Sequence, residues 1–580
     1  MTSKILKLAK AFIAKLMVST KRFPEALLFA TAAVITAIFI NHHNFTYPDP
    51  LRDQLNRLTM IFALGVPLYL SIRVLLEREL NKIKSKLIPL LAGLVVLAGY
   101  HQIFIKEINT ISIIRYVGVT LVLYLLFTSI PFILKKERYE LQVVKLMTNL
   151  FITYLYSIVL YLGLAAILFT IDQLFSVNVS YKLYYDIFLI VAGIFAPAYF
   201  LADVPTNNQQ LVVEEYPKVL RVLLQFIVMP LLVAYSTILY VYFGKIIATQ
   251  EWPQGMVSHL VLWFSIISTL VIFLVYQLKE QNQWTNIFIK YFPKWVIPLL
   301  IMMFVAIGIR IRSYGITENR YFVVAAGLWV FGSMLYLALK KLNRNILIVL
   351  SLAIITLISV FGPVSAFSLS KYSQNNRFEA LLKEYQMLQD GKIIKPQQQL
   401  KEEERQRISS IIAYFNYQHS LRDLKLLPEG FKLEEMEAVF GFRLYDGVDY
   451  QRKYFYLYAN EGQSLLNINE YDLFTYMSFY RNNQAKSFEK GEYTISYSKN
   501  NGIIEITKDK QLIYSKSIDE IAKDFEKYNG KQDLSMEDLM YQDDRGDIKV
   551  MYLFKHINGY QTGETSSVES AEFYIFIKLP

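Results

Sequence analysis

No cysteine occurs among the 580 residues. Disulfides, thiolate metal centres and a cysteine nucleophile are therefore excluded. Histidine is scarce, with 6 copies, and its spacings match no metal-ligand signature. A phosphate-binding P-loop, a G-x-G-x-x-G fingerprint, a G-x-S-x-G elbow and an H-E-x-x-H helix are all missing. No catalytic residue, cofactor or metal is assigned on this basis, and an enzyme is the less favoured class. Charge is sparse as well: 19% of residues are charged and 54% hydrophobic, with mean hydropathy +0.29. A water-soluble chain of this size cannot hide so much apolar surface.

What the sequence has instead is long apolar runs. The first is Ala26 to Ile40. Others follow at about 58–76, 87–105, 116–134, 146–171, 183–202, 219–243, 257–278, 293–309, 321–339 and 346–367. At 1.5 Å per residue such runs cross a hydrocarbon layer of roughly 30 Å, some with tilt. Helices are the form expected, because a spanning segment must satisfy its own backbone hydrogen bonds. The alternation of a membrane β-barrel is absent.

The net charge of +11 is unevenly spread. Residues 1–370 hold 32 Lys and Arg against 16 Asp and Glu, and residues 371–580 hold 28 against 33. The basic excess thus flanks apolar segments, which points to a lipid bilayer as partner and not to nucleic acid. With the N-terminus inside, the cytoplasmic flanks hold 22 basic residues and the outer loops 9. The bias predicts a cytoplasmic N-terminus. Eleven crossings then put the remainder of the chain outside the cell membrane. The segment at 293–309 is short and ends in Arg310, and a failure to cross there would reverse the sidedness of everything after it.

Three regions follow: a basic amphipathic segment at 1–22, a helical membrane domain at 23–367, and an extracytoplasmic α+β domain at 368–580. In the last, helices are expected at 376–388 and 397–418. Strands are expected at Ala438–Leu444, Tyr454–Tyr458, Tyr493–Tyr497, Ile503–Thr507, Leu512–Ser515, Lys549–Phe554 and Phe573–Lys578, with a hairpin turn at Asn500-Asn501-Gly502. The fold class is a polytopic α-helical membrane protein of about eleven spans with a C-terminal soluble α+β domain.

Few side chains stand out chemically. Arg310, Arg312 and Arg320, with Tyr314, sit in one short loop where basic residues should be rare. Three guanidiniums there could grip a phosphate or carboxylate; the weightier reading pairs them with acidic residues or lipid headgroups. Asp172, Asp186 and Asp203 lie near span ends and form a candidate intramembrane polar site, with interfacial hydration or ion pairing the weightier reading. Arg73 lies within a span and can snorkel to the surface. His42, His43, His101 and His259 lie toward the predicted outer face, and no acidic partner is assigned to them. Pro67, Pro89, Pro131, Pro197, Pro230 and Pro298 interrupt spans, as in transporters, although proline is common in membrane helices generally.

Several motifs resemble an uncharacterised bacterial membrane family, domain of unknown function 4153. They are Arg22-Phe23-Pro24-Glu25-Ala26, Phe195-Ala196-Pro197 ahead of Asp203-Val204-Pro205, Tyr314-Gly315-Ile316-Thr317-Glu318-Asn319-Arg320-Tyr321, and Phe361-Gly362-Pro363. The resemblance implies a bacterial plasma-membrane location and supplies no catalytic residues. Three functions are carried forward. The leading one is a non-enzymatic envelope protein that displays or senses through its outer domain, with other envelope proteins as partners. The alternatives are a transporter of a small solute and an envelope enzyme acting on an anionic lipid-linked substrate.

Overall fold

The computed structural model describes all residues except 1–14, 16, 44, 46–48, 79–85, 134–138, 176–178, 207–212, 250–255, 340–343, 445–451, 460–467, 482–486, 498–501, 529–530, 532–533, 563–564 and 580. The expected basic amphipathic segment therefore falls largely outside the described residues. The chain divides into two compact units, Met1–Arg377 and Phe378–Pro580.

In the first unit, ten helices among the described residues are long and apolar enough to cross a bilayer. They are Pro24–His42, Pro50–Arg78, Leu87–Phe104, Thr110–Phe132, Tyr139–Phe175, Tyr181–Ala202, Lys218–Thr249, Val257–Leu278, Gln283–Tyr314 and Glu318–Leu339. An eleventh apolar helix, Ile346–Val360, has 15 residues. The chain is a polytopic helical membrane protein. Side chains such as Leu28, Val95, Leu174 and Val219 stand exposed on these helices, where hydrocarbon tails solvate them.

Local signals explain the helix ends. Pro24 opens the first helix, where its missing N–H is no loss. Asn109 and Ser112 cap Thr110–Ser129 reciprocally, each side chain accepting from the other's backbone N–H at 2.9 Å. Asn282 caps Gln283–Tyr314 by accepting from Thr285 N at 3.2 Å. Gly315, at φ +71°, ends that helix. Two spans widen into π-turns, Val191–Phe195 and Leu223–Val228. Each lies two residues before a proline, Pro197 and Pro230 respectively. A proline ring crowds the carbonyl four residues earlier, and a wider turn relieves that clash.

Tertiary contacts at the helix ends sort into two sets. On one face Arg22 meets Glu77, Arg78 donates to the Ile130 carbonyl, Tyr139 meets Ser129, and Asn345 meets Glu140. On the other Arg57 donates to the Lys106 carbonyl, Arg115 to the Val360 carbonyl, and Tyr321 to the Val364 carbonyl. We call these the Arg22 face and the Arg115 face. The segment 293–309 lies inside the 32-residue helix Gln283–Tyr314. Thr285 at its start pairs with Gln225, and Tyr314 at its end joins the loop beside Tyr321, so this helix runs between the two faces. The short Ile346–Val360 helix does the same, held by Asn345 at one end and Val360 at the other.

Close packing relies on small residues. A Cβ on Gly193, in the first π-turn, would lie 2.3 Å from Val34 Cγ2, and one on Gly118 would lie 3.0 Å from Val360 Cγ1. These glycines let helix pairs approach where packing, and not water exclusion, holds them together.

The second unit begins within the helix Ala366–Glu384. It contains the helix Glu402–Gln418, whose first turn is acidic, as the helix dipole favours. A five-stranded antiparallel sheet places Lys549–Thr562 and Thr565–Lys578 centrally, with Arg452–Tyr458 and Met540–Asp544 beside the former and Leu473–Tyr480 beside the latter. A four-stranded meander runs Ser487–Lys490, Tyr493–Tyr497, Ile503–Lys508 and Gln511–Ser517. Phe479, Phe554, Phe573 and Ile504 are among the fully buried side chains of their shared core. One expected strand is corrected: Ala438–Leu444 is not extended. Met436–Phe440 is a helical turn ended by Gly441 at φ +78°, because Met436 and Phe440, four residues apart, bury together. Asn500 and Asn501 of the expected hairpin turn lie outside the described residues; the strands flanking them do pair, Tyr497 opposite Ile504.

Replacing Gly193 with leucine is expected to lower the thermal unfolding midpoint of the detergent-solubilised protein, at an overpacking cost of about 1–3 kcal/mol. Adding Val34→Ala should recover part of the loss. An unchanged midpoint for Gly193→Leu alone would contradict this packing.

Candidate functional site

Three places gather chemically capable side chains. The first is on the Arg22 face. Arg22 donates to both Glu77 oxygens, at 2.8 and 2.9 Å, and to the carbonyls of Val204 and Pro205. Arg73 donates to both Glu25 oxygens through Nε at 2.6 Å and Nη2 at 2.5 Å. Lys15 pairs with Asp203 and lies 3.8 Å from the Tyr199 ring centroid. The separated Arg22–Ala26 and Asp203–Pro205 motifs are thus one assembly. Each cation is neutralised where water thins out.

Beside it sits a residue that the sequence reading missed. Glu140 is 4% exposed. Its carboxylate accepts from Gln277 Nε2 at 2.8 Å and from Asn345 Nδ2 at 2.5 Å. Tyr139 hydrogen-bonds Ser129 and Thr128, each at 3.1 Å. Arg344 donates from Nη2 to the Ile133 carbonyl at 2.7 Å and from its backbone to the Tyr336 hydroxyl at 2.9 Å. These residues come from five separate helix ends, so no local motif announces them. In the sequence Glu140 merely follows a basic loop.

The second place is on the Arg115 face. Asp186 is buried, accepting from Asn41 Nδ2 at 2.8 Å and meeting His42 Nε2 at 2.6 Å. The structure brings together one predicted aspartate and one predicted histidine that spacing left unrelated. Asp172 instead accepts from Val179 N at 2.8 Å. His43 lies between the rings of Phe39 and Phe45. Arg320 donates to the carbonyls of Tyr314 and Gly315, at 3.1 and 2.7 Å. Gln374 bridges the carbonyls of Tyr314 and Ile316, and Arg377 also donates to Tyr314. The carbonyl-rich turn at Gly315 therefore engages Arg320. Arg312 is exposed and Arg310 half-buried. Arg115 is ringed by Phe104, Phe361 and Phe367, at 5.1 to 5.9 Å, which suits a cation at a bilayer boundary. Among the described residues no group of three or more His, Cys, Asp or Glu is arranged to hold a metal.

The third place is the outward face of the five-stranded sheet. Cross-strand register sets three rows there: Tyr458, His556, Glu572 and Ser478; Tyr456, Asn558, Ser570 and Tyr480; and Tyr454, Tyr560 and Ser567. Tyr454, Tyr456 and Tyr458 are 61%, 66% and 47% exposed. The Tyr456 and His556 rings stack at 6.3 Å. Tyr476 donates to Glu572 at 2.6 Å, and this bond pushes its hydroxyl up to about 12. Asn558 Oδ1 accepts from the Ser570 hydroxyl at 3.0 Å. The period-two tyrosines of Tyr454–Tyr458 were visible in the sequence as a strand; their outward direction follows once Phe455 and Leu457 are seen in the core. Elsewhere in this unit Tyr514 donates to Asp543 at 2.9 Å and accepts from Tyr552. Burial, then the neighbouring Tyr552 and Asp543, push the Tyr514 hydroxyl well above the usual tyrosine range.

Fold and contacts together define a multi-pass helical membrane protein with an appended sheet domain. The chain belongs to the DUF4153 family: that model, described as a domain of unknown function, matches residues 26–390. It is similar to uncharacterised protein PM1469 of Pasteurella multocida, 25% identical over 386 residues. The alignment covers 66% of this chain and 63% of that relative, just under two thirds of its length. No solved structure matches.

Two predictions follow from these sites. Glu140→Ala strands two buried amides, each costing about 1–3 kcal/mol, and should lower the thermal midpoint in detergent more than Glu140→Gln does; equal midpoints would argue against the assembly. Tyr514 keeps its proton in the folded unit while the unfolded chain ionises near pH 10. Its contribution is therefore complete below about pH 10 and lost as pH rises further. Urea midpoints of the β-sheet circular-dichroism signal should fall less steeply above that pH in Tyr514→Phe than in the parent.

Proposed function

We propose that this protein is a non-enzymatic component of the bacterial envelope that displays its sheet domain on the extracytoplasmic side of the plasma membrane. The observation carrying this reading is that Ile346–Val360 is tied at Asn345 to the Arg22 face and at Val360 to the Arg115 face. With ten longer helices before it, the chain leaves the membrane opposite Arg22. The Arg22 face also carries the loops richest in Lys and Arg, which supports its being cytoplasmic.

A second reading, transport of a small solute, is favoured by the two consecutive spans with π-turns ahead of Pro197 and Pro230. Gln225, in the second π-turn, is buried and donates to Thr285 at 2.7 Å. Broken helices of this kind build solute sites in transporters. The lipid-linked-substrate reading gains less, since Arg320 is engaged by its own loop.

Sidedness is directly testable because the chain has no cysteine. Tyr372→Cys and Gln281→Cys place single thiols at exposed positions on opposite faces. On intact cells an impermeant maleimide should label the first and spare the second. Labelling of Gln281→Cys alone would sink the display reading.

A further inference from the structure

We propose that the outward face of the five-stranded sheet binds an extended, hydroxyl-rich glycan, with sugar rings stacked on edge-strand tyrosines and their hydroxyls bonded to the central His556–Glu572 row. The inference rests on the display reading for the compartment in which such a ligand is met. The face itself supplies the chemistry.

A sugar ring presents C–H groups on its flat side and hydroxyls around its rim. Its binding surface therefore needs open aromatic planes next to donors and acceptors at the same height. Tyr454, Tyr456 and Tyr458 provide three rings in a line along one edge strand, about 6.8 Å apart by strand geometry. All three are substantially exposed. Tyr476 stands on the opposite edge strand, bonded to Glu572. Between the two edges lie an imidazole, a carboxylate, an amide and hydroxyls, in register across the strands. The central carboxylate is held in place: Glu572 accepts from the Tyr476 hydroxyl and lies 3.9 Å from His556 Nδ1. Such restraint reduces the ordering cost of binding.

A protein partner would leave a different imprint. Protein hot spots centre on a desolvated apolar anchor in a pocket. The three rows contain tyrosine, histidine, asparagine, glutamate and serine, with no aliphatic side chain in any of them. In the neighbouring rows Met551 and Leu553 are buried with Phe576 against Tyr471, Met536, Met540 and Tyr574, and the exposed hydrophobic side chain of the Met551 row is the aromatic Phe474. The open part of the sheet is polar and aromatic, the composition that suits a polyhydroxylated chain.

The test uses the full chain, purified in detergent, with two probes: peptidoglycan sacculi in a co-sedimentation assay and a β-1,4-linked N-acetylglucosamine oligomer in calorimetry. The wild type should bind at least one of them. The double variant Tyr454→Ala/Tyr456→Ala should lose about tenfold or more in affinity, the scale expected on removing two stacking rings. Tyr456→Phe, which keeps the ring, should bind like the wild type. Should the double variant misfold, Tyr456→Ala alone carries the test, because that side chain is 66% exposed on an edge strand. Failure of the wild type to bind either probe overturns the proposal, as does equal binding by a folded alanine variant. Detergent exposes both faces of the protein, so this result is independent of the maleimide experiment. Glycan binding with reversed labelling would sink the display reading alone.

Discussion

A chain in hydrocarbon has no water with which to satisfy polar side chains, and this constraint orders the membrane unit. The helices keep their backbone bonds internal, and the charged contacts between them gather near the two ends. Arg22, Glu77, Arg73, Glu25, Lys15, Asp203 and Glu140 occupy one face, and Asp186, His42, Arg57 and Arg115 the other. The middle of the unit is held by apolar packing at close approaches such as Gly193 on Val34 and by a few hydroxyl and indole bonds. The sorting is a physical necessity, and it makes the number of crossings readable from contacts alone.

Proline placement shows how the same constraint shapes irregularity. Pro197 and Pro230 follow π-turns, whereas Pro67, Pro293 and Pro298 lie within continuous α-helix, Pro89 in a first turn and Pro131 in a terminal 3-10 turn. A widened turn relieves the ring's clash at two positions, while the α-helix continues past Pro67, Pro293 and Pro298. Local geometry thus distinguishes prolines that look alike in sequence.

The apolar runs made the spans legible, because length and hydropathy are local properties. Helix and strand periods also revealed much of the second unit, including Tyr454–Tyr458 and the outer six residues of each long central strand, Lys549–Phe554 and Phe573–Lys578. Ala438–Leu444 was misread because its apolar residues fit either period over so short a stretch; burial of Met436 with Phe440 decided for helix. The Leu473–Tyr480 strand escaped because Thr and Ser interrupt its aromatics. The sites were far less legible. Arg22 and Asp203 are 181 positions apart in the numbering, and Glu140 shares no motif with Gln277 or Asn345. Such partners are chosen by which helix ends meet, a tertiary fact. The short motifs singled out in the sequence come close to showing it, since Arg22–Ala26 and Asp203–Pro205 are the two halves of one contact.

The last apolar helix has a consequence for the lipid around it. Fifteen residues rise only about 22 Å, against roughly 30 Å of hydrocarbon, yet both ends are moored in polar clusters and Ile354 and Ile358 stand exposed on its flank. The acyl chains beside it must compress or tilt to keep those side chains covered. Such hydrophobic mismatch costs fractions of a kcal/mol per Å. Where so short a helix spans the layer, the annulus beside it is dimpled, and short-tailed lipids fit there at least cost.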